Sequence, residues 1–243
     1  WRVVQTANNY IYEGNPNLQP MRENSWDASI EYFFGKSGQL SADYYLKKPH
    51  GWLFYSCQTE NDVPEFNGES GTVCKNRNSG PGNFEGFEFT AQSFFDFLPG
   101  FWSNFGASAN ATLLSSFKVL YPYEGDVTKI SGVYDAQDTS RYTYNLALYY
   151  DTPEFSTRLS YNYRARYRSW VNTDYVQYSP YVNPTSRLDL AINYTPYKFV
   201  TFSLEGSNLL KNNMRTWYGK ENLLPSGLRM SARTIQLSIR MRN

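Results

Sequence analysis

Residues 155–167 read FSTRLSYNYRARY, and the pattern of this stretch decides the fold class. The odd positions are mostly apolar: Phe155, Thr157, Leu159, Tyr161, Tyr163, Ala165 and Tyr167. The even positions are polar: Ser156, Arg158, Ser160, Asn162, Arg164 and Arg166. A period of two over these thirteen residues predicts a β-strand with one apolar and one polar face. The predicted strand is longer than the usual strand of about five or six residues.

The same alternation recurs in eight further segments of the chain. They are residues 26–34, 40–47, 87–97, 107–113, 142–150, 187–194, 200–205 and 234–241. We therefore predict nine strands and no helix.

The connections between these strands alternate between short and long. The short ones are residues 35–38, 98–103, 151–154 and 195–198, and the long polar ones are 56–83, 119–139, 170–184 and 209–230. This rhythm is typical of transmembrane β-barrels, whose short turns face the periplasm and whose long loops face outwards. We expect a further outer loop near residues 14–24 and a last strand that ends on the periplasmic side.

Aromatic residues make up 18% of the chain and collect near the predicted strand ends. A first predicted girdle lies beside the short turns: Phe34, Phe97, Phe101, Trp102, Tyr150, Phe155, Tyr194, Tyr197 and Phe199. A second lies towards the long connections: Trp26, Tyr55, Tyr142, Tyr167 and Trp170. The nine residues from Trp26 to Phe34 match the roughly 9–11 that a tilted strand needs to cross a membrane. A soluble β-sandwich explains the alternation but neither the two girdles nor the rhythm of the connections.

Composition and single motifs exclude several other classes of protein. The 23 basic and 22 acidic residues leave a net charge of +1, which is too balanced for a nucleic-acid-binding surface. No stretch approaches eighteen consecutive apolar residues, so a helical membrane span is excluded. His50 is the only histidine, and no glycine-rich phosphate loop follows a strand. We therefore predict no enzyme, no catalytic residue and no cofactor.

The strand count predicts that the barrel is incomplete. Bacterial single-chain barrels have an even number of strands, whereas nine is odd. We therefore expect the first strand to pair with a neighbour outside this sequence. Residue 1 is Trp and no signal-peptide pattern follows it, so we expect any signal peptide to lie upstream or to have been removed.

Three stretches of the chain carry recognisable sequence motifs. They are GNPNLQP at residues 14–20 followed by the strand at 26–34, GFEFTAQSFFDFLPGFWSNFGASANATLLSS at 86–116, and FSLEGSN at 202–208 followed by two leucines. In this order they resemble the TonB-dependent outer-membrane receptors over nearly the whole chain. One departure is the chain end, which reads RMRN at 240–243 where members usually end on an aromatic residue.

The resemblance implies an all-β fold, an antiparallel transmembrane β-barrel of the 22-stranded type of which about nine strands are present. Residues 1–243 would be the C-terminal portion of the barrel domain, with the plug domain and earlier strands outside this sequence. The implied function is energised uptake of a scarce solute, a ferric siderophore or an oligosaccharide. A passive porin-like channel and a surface adhesion or structural barrel are the alternatives.

The resemblance also implies a location and a set of partners. The location is the Gram-negative outer membrane. The partners are outer-membrane lipid, the small-molecule or oligosaccharide ligand, and the inner-membrane TonB complex, which acts through the plug. An outer-membrane lipoprotein or a periplasmic protein is a further candidate partner, and no nucleic acid is expected.

Four arginines dominate the polar face of the strand at 155–167. Arg158, Arg164, Arg166 and Arg168 share that face, and the last three lie within five residues towards its outer end. Like charges at this spacing repel unless an anion balances them. Arg164, Arg166 and Arg168 are therefore candidates to bind an anionic solute. The alternative is that carboxylates of the plug, or Asp189 on the neighbouring strand, pair with them.

Aromatic residues in and beside the long connections are the other ligand-binding candidates. Exposed aromatic faces suit sugar rings and aromatic chelators. The candidates are Trp170, Tyr175, Tyr178, Trp217 and Tyr218, with Tyr181 close to them in the sequence. The alternative is that these side chains only form part of the interfacial girdle.

Cys57 and Cys74 are the only cysteines and lie in one long polar connection. We predict a disulfide that restricts this loop in an oxidising compartment, with two unpaired thiols as the alternative. Four carboxylates in the same connection lack the ordered spacing of a Ca²⁺ loop, so we predict no metal site. They are Glu60, Asp62, Glu65 and Glu69.

Overall fold

The structure is a computed structural model that describes residues 1–123, 129–173, 175–219 and 224–242. Within these residues it contains eighteen strands and four single turns of 3-10 helix. The strands are β1 (Arg2–Gln5), β2 (Tyr10–Glu13), β3 (Arg22–Phe34), β4 (Gly38–His50), β5 (Leu53–Glu60), β6 (Gly71–Asn78), β7 (Gly82–Phe94), β8 (Phe105–Pro122), β9 (Ile130–Asp135), β10 (Tyr142–Asp151), β11 (Phe155–Arg164), β12 (Tyr167–Arg168), β13 (Pro180–Val182), β14 (Thr185–Tyr197), β15 (Val200–Ser207), β16 (Met214–Tyr218), β17 (Leu224–Arg229) and β18 (Thr234–Met241). No helix of the described residues is long and apolar enough to cross a membrane, a result that carries no information about spanning strands.

Nine long strands form one antiparallel sheet, which confirms the predicted strand set. Their order is β3-β4-β7-β8-β10-β11-β14-β15-β18, and β9 pairs with the outer end of β8. Each neighbour in the sheet is also the next long strand along the chain, as in an up-and-down barrel. Over the described residues β3 and β18 do not pair with each other, so the sheet is an open segment of a barrel.

Short turns join the strands at one end of the sheet. Between β3 and β4 the chain reverses in three residues, and Gly35 takes a left-handed conformation with φ of 57°. The Phe34 ring lies over Gly38, where a Cβ atom would come within 2.4 Å of it. Only glycine leaves room for that ring, which fixes the register of the hairpin.

The two faces of the sheet differ in polarity, as the alternation predicts. One face exposes large apolar side chains such as Ile30 and Leu237, which are 72% and 80% exposed. An exposed apolar surface of this extent indicates contact with lipid or with other protein. The opposite face is polar, and one row of cross-strand neighbours runs Glu31, Ser41, Thr90, Asn110, Asn145, Asn162 and Arg187.

The aromatic residues beside the short turns pack against one another. The Phe101 ring lies 5.4 Å from Trp102, 5.3 Å from Phe105 and 5.1 Å from Tyr150, measured between centroids. Tyr150 in turn lies 6.1 Å from Phe155. Four members of the predicted first girdle therefore form a contacting cluster with Phe105 at the short-turn end.

The aromatic belt towards the other end differs from the predicted one. Trp26 and Tyr142 do lie on the apolar face of the main sheet, whereas Tyr55, Tyr167 and Trp170 lie outside it. The other aromatic side chains of this belt are four residues of the strand interiors that contact one another in two cross-strand pairs. They are the pair Tyr44 and Phe87, at 5.2 Å, and Tyr144 and Tyr163, at 4.9 Å.

The long connections, predicted as polar loops, carry two further four-stranded sheets. The first outer sheet has the order β1-β2-β6-β5, and the second has the order β12-β13-β16-β17. In the first, β2 runs parallel to β6 although about sixty residues separate them. A small core of Ile11, Val63, Phe66 and Val73 stabilises this pairing.

A second small core links three long connections to one another. Phe54, Val119, Tyr121, Ala136 and Val171 are buried together, although they come from β5, β8 and the segments after β9 and β12. The outer connections are thereby joined into one packed layer above the long-connection end of the main sheet.

Candidate functional site

The strand predicted at residues 155–167 breaks before its last arginines. β11 ends at Arg164, and the buried Ala165 donates its backbone N–H to the Tyr142 carbonyl. The chain then enters the second outer sheet as β12. The prediction that Arg166 and Arg168 share one strand with Arg158 is therefore wrong. The break instead carries both arginines into the outer layer.

Arg164 is held firmly by its neighbours. Its Nε donates to the Ser140 hydroxyl at 2.8 Å, and its Nη2 donates to the Asp138 carbonyl at 2.5 Å. Its guanidinium also lies 3.6 Å from the centroid of the Tyr167 ring. Ser140 is buried, and its hydroxyl donates a hydrogen bond to the Ala165 carbonyl at 2.9 Å. Arg164 thus stabilises the chain break at residue 165.

Arg166 and Arg168 converge on Tyr181. The guanidinium of Arg168 lies 5.0 Å from the Tyr181 ring centroid and that of Arg166 lies 5.9 Å from it. Arg168 Nε donates to the Tyr181 hydroxyl at 3.2 Å, and the other side of its guanidinium faces the Tyr134 ring at 5.8 Å. Arg168 Nη1 is buried without a hydrogen-bond partner, which leaves a donor to be satisfied.

Trp217 packs against Tyr181, on which Arg166 and Arg168 converge. Its side chain is only 2% exposed, and its ring stacks on Tyr181 at a centroid distance of 5.0 Å and an interplanar angle of 14°. Its Nε1 donates to the Asn183 side chain. Tyr218, the next residue, pairs across the sheet with Pro180. Trp217 therefore positions Tyr181, and its own ring faces are covered.

Tyr175 and Tyr178 form a separate exposed aromatic surface, and Trp170 of the same connection is exposed as well. Tyr175 and Tyr178 are 59% and 52% exposed, and their ring centroids are 6.0 Å apart. The Asn172 side chain accepts the Tyr175 backbone N–H at 2.8 Å and so shapes the turn that presents both rings. This surface belongs to the same connection as Arg168.

Asp189, the carboxylate of the neighbouring strand that the sequence offered as a partner, does not pair with these arginines. Asp189 forms an ion pair with Arg187 at 2.8 Å and also accepts the backbone N–H of Asn208 at 2.8 Å. Among the described residues no carboxylate lies within ion-pair distance of Arg164, Arg166 or Arg168. The expectation of pairing with Asp189 is wrong because that carboxylate is already engaged.

The predicted disulfide is confirmed in the first outer sheet. Cys57 and Cys74 are bonded and lie directly opposite each other on β5 and β6, with their Cα atoms 4.0 Å apart. The disulfide therefore reinforces a strand pair, where a staple across an irregular loop was expected.

Two of the four acidic residues of this connection, Glu60 and Glu65, face cations. Glu65 contacts Arg2 at 2.6 Å, and Glu60 lies 3.8 Å from both Lys75 and Arg77. Burial lowers the pKa of Arg77, against the effect of the neighbouring carboxylates. In the part of the chain that the structure describes, no group of three or more His, Cys, Asp or Glu side chains converges as a metal site.

Several residues that build the site carry no recognisable sequence signal. Tyr134, Ser140 and Asn183 orient Arg168, Arg164 and Trp217, and they come from the connections after β8 and β13. Their spacing in the sequence is unrelated to the strand period. Only the packing of separate connections brings them together.

The fold and this outer layer define the class of protein. A sheet with an apolar outer face, a polar inner face, short turns at one end and elaborate connections at the other is an outer-membrane type of β-barrel. A family profile described as "TonB dependent receptor-like, beta-barrel" matches residues 2–209. The chain belongs to this family.

Solved structures of receptors share the fold. The ferric enterobactin receptor PfeA of Pseudomonas aeruginosa is 14% identical, with 96% of this chain and 33% of that receptor covered and a TM-score of 0.62. The siderophore receptor PirA of Acinetobacter baumannii is 13% identical over 95% of this chain and 33% of that one, with a TM-score of 0.59. The ferric yersiniabactin uptake receptor FyuA of Yersinia pestis is 13% identical over 91% and 30%, with a TM-score of 0.59.

The chain spans about one third of the length of these receptors. No curated protein sequence matches it.

Proposed function

We propose that this chain is the C-terminal part of the barrel of a Gram-negative outer-membrane receptor that imports a ferric siderophore. Family membership supports a transport receptor rather than an enzyme. In this proposal a plug domain and earlier strands, encoded outside residues 1–243, complete the barrel. The inner-membrane TonB complex supplies the energy through that plug.

The observation that carries the proposal is the cluster of Arg166, Arg168 and Tyr181 in the outer layer. Two guanidinium groups face one phenol ring, and no carboxylate among the described residues balances them. Guanidinium groups bind anionic oxygens by charge-assisted hydrogen bonds, and they also stack on aromatic rings. A ferric catecholate presents both features, because it is anionic and carries aromatic rings.

Binding of ferric enterobactin to the full-length receptor tests the ligand. We expect the double variant Arg166→Ala and Arg168→Ala to weaken binding, measured by quenching of intrinsic tryptophan fluorescence, by about ten-fold or more. The control is Arg158→Ala, which removes one positive charge from the polar face of β11 outside the cluster. An equal loss in both variants, or no loss in the double variant, would refute the cluster as the ligand site.

An oligosaccharide is the second candidate ligand, and Trp170, Tyr175 and Tyr178 favour it. Their exposed rings are of the kind that stack on sugar rings. Replacing Tyr175 and Tyr178 with alanine would then abolish binding of a maltooligosaccharide while ferric enterobactin binding persisted. Uptake of either ligand that is equal with and without a functional TonB complex would support a passive channel in place of a receptor.

A further inference from the structure

The apolar face of the main sheet carries a cluster of basic side chains at its outer rim. Arg22 on β3 lies directly opposite His50 on β4, and Lys48 lies two residues from His50 on the same face. That face also carries Trp26 and Ile30, which are large, apolar and exposed. All three basic side chains are exposed as well.

The height of this cluster matches the edge of a membrane. Lys48 lies opposite Asn24, ten residues along β3 from Phe34 in the short-turn girdle. At about 3.4 Å per residue and a tilt of about 40°, ten residues climb roughly 26 Å. The apolar band of outer-membrane barrels is about 25 Å tall. Lys48 therefore lies at the upper edge of the band, and Arg22 and His50 lie just above it.

The contacts of these residues leave their charges available. Lys48 Nζ lies over the Trp26 ring at 5.7 Å from its centroid, so the ammonium group sits against the aromatic belt in a cation–π contact. Across the described residues no carboxylate lies within ion-pair distance of Arg22 or Lys48. Glu85, the acidic residue of β7 on the same face, accepts the Tyr44 hydroxyl at 3.0 Å.

We propose that Arg22, Lys48 and His50, with Trp26 beneath them, bind the phosphate of an anionic membrane lipid. Cations at this height on the lipid-facing side meet the headgroup region, where a phosphate can balance Arg22 and Lys48 together. His50 adds a ring N–H donor beside Arg22. The Trp26 ring contacts the acyl chains just below the phosphate, as aromatic belts do.

This proposal rests on the membrane location given above and is independent of the ligand and of TonB. Free inorganic phosphate shares the relevant chemistry but gains nothing from Trp26 or from the apolar face below it. A bound lipid uses both parts of the cluster, so the lipid headgroup is the occupant that the surface fits.

Native mass spectrometry of the full-length receptor in detergent micelles tests the proposal. The probes are bisphosphorylated lipid A and its monophosphorylated form, which differ by one phosphate. We expect the bisphosphorylated lipid to bind about five-fold more tightly, and the double variant Arg22→Ala and Lys48→Ala to remove that preference. Lys48→Arg, which keeps the charge, should retain it.

Lys47→Ala is the matched control, because Lys47 is the adjacent residue on the polar face of β4. It should leave the preference unchanged. Equal losses from Lys47→Ala and from the double variant would overturn the proposal, since they would show a dependence on overall charge. Full retention of the preference in the double variant, or complete displacement of the lipid by millimolar inorganic phosphate, would also overturn it. This experiment does not measure siderophore uptake. The proposed siderophore import could therefore be refuted while the proposed lipid site is retained.

Discussion

The side chain of Asn208 holds together the chain reversal after β15. Its Nδ2 lies 3.3–3.4 Å from the carbonyls of Asn212, Ser231 and Ala232, and its Oδ1 accepts the Asn212 backbone N–H at 3.0 Å. Its backbone N–H donates to Asp189, and its φ is 52°. Asparagine tolerates this left-handed conformation better than most residues. The last residue of the FSLEGSN stretch is therefore a structural anchor.

We expect Asn208→Ala to destabilise the full-length protein by about 2 to 4 kcal/mol, because it leaves buried polar groups unpaired at a positive φ. Asn208→Gly loses the same hydrogen bonds without the backbone cost, so it should cost less. Urea unfolding measures both. Asn212→Ala is the control, since its side chain makes only one long hydrogen bond, at 3.4 Å to Ser186. A control as costly as Asn208→Ala would contradict the assigned role.

Neighbouring arginines illustrate what residue type alone cannot predict. Arg164 is satisfied by Ser140, Asp138 and Tyr167, whereas Arg168 retains a buried donor without a partner. Both have the same charge and almost the same position in the sequence. The difference comes from the chain break at Ala165, which no local sequence signal marks.

At the scale of elements, the period of two predicted all nine strands of the main sheet. A strand with lipid on one side and water on the other must alternate along its whole length, as β11 and β14 do. The outer sheets obey no such constraint. β12 and β13 have two and three residues, and β2 pairs with β6 in parallel across about sixty residues. Their pairing depends on packing between distant segments, which a period cannot indicate.

The same reasoning explains how far the candidate site could be predicted. The sequence indicated the arginines because like charges recur on one face of a predicted strand, and it indicated the aromatic residues because they lie in or beside long polar connections. It could not indicate that Trp217 would be buried under Tyr181, since that contact joins β13 to β16. Nor could it indicate Tyr134, which reaches Arg168 from β9.

Glu13, in the N-terminal hairpin of β1 and β2, forms an ion pair with Lys75 on β6. This ion pair should make the pairing of β2 with β6 sensitive to pH. Lys75 lies 2.7 Å from Glu13 and, with Arg2 at 3.2 Å, holds the pKa of that carboxyl below its ordinary value of 4.5. A carboxyl with a lowered pKa in the folded state stabilises the fold above its unfolded pKa. That contribution disappears as the pH falls below 4.5 and through the lowered value.

We expect Glu13→Gln to reduce the free energy of opening of β2 by about 1 kcal/mol at pH 7 and by progressively less as the pH falls below the ordinary pKa of the carboxyl, towards pH 3. Hydrogen exchange of the backbone amides of Tyr10–Glu13 measures this opening. Glu69→Gln, in the connection between β5 and β6 and outside the ion pairs of the described residues, is the control. A loss of equal size at pH 3 and pH 7 would exclude the ion pair as its source.

At the scale of the whole molecule, the main sheet has one apolar face and one polar face. Its apolar face runs from the Phe101 cluster at the short turns to Trp26 and Tyr142 near the other end. Its polar face carries a row of polar side chains across seven strands, from Glu31 through five hydroxyl or amide groups to Arg187. The packed outer layer stands over one rim and presents the arginine and tyrosine cluster.

The measurement that tests this account most directly is a spin-label accessibility scan along β11 of the full-length protein in native outer-membrane vesicles. Labels replacing Leu159, Tyr161 and Tyr163 should be relaxed mainly by oxygen, which concentrates in lipid. Labels replacing Ser160 and Asn162 should be relaxed mainly by a water-soluble nickel chelate, because they line the aqueous lumen. Labels at 159, 161 and 163 shielded from both reagents, as in the core of a soluble sandwich, would contradict the account.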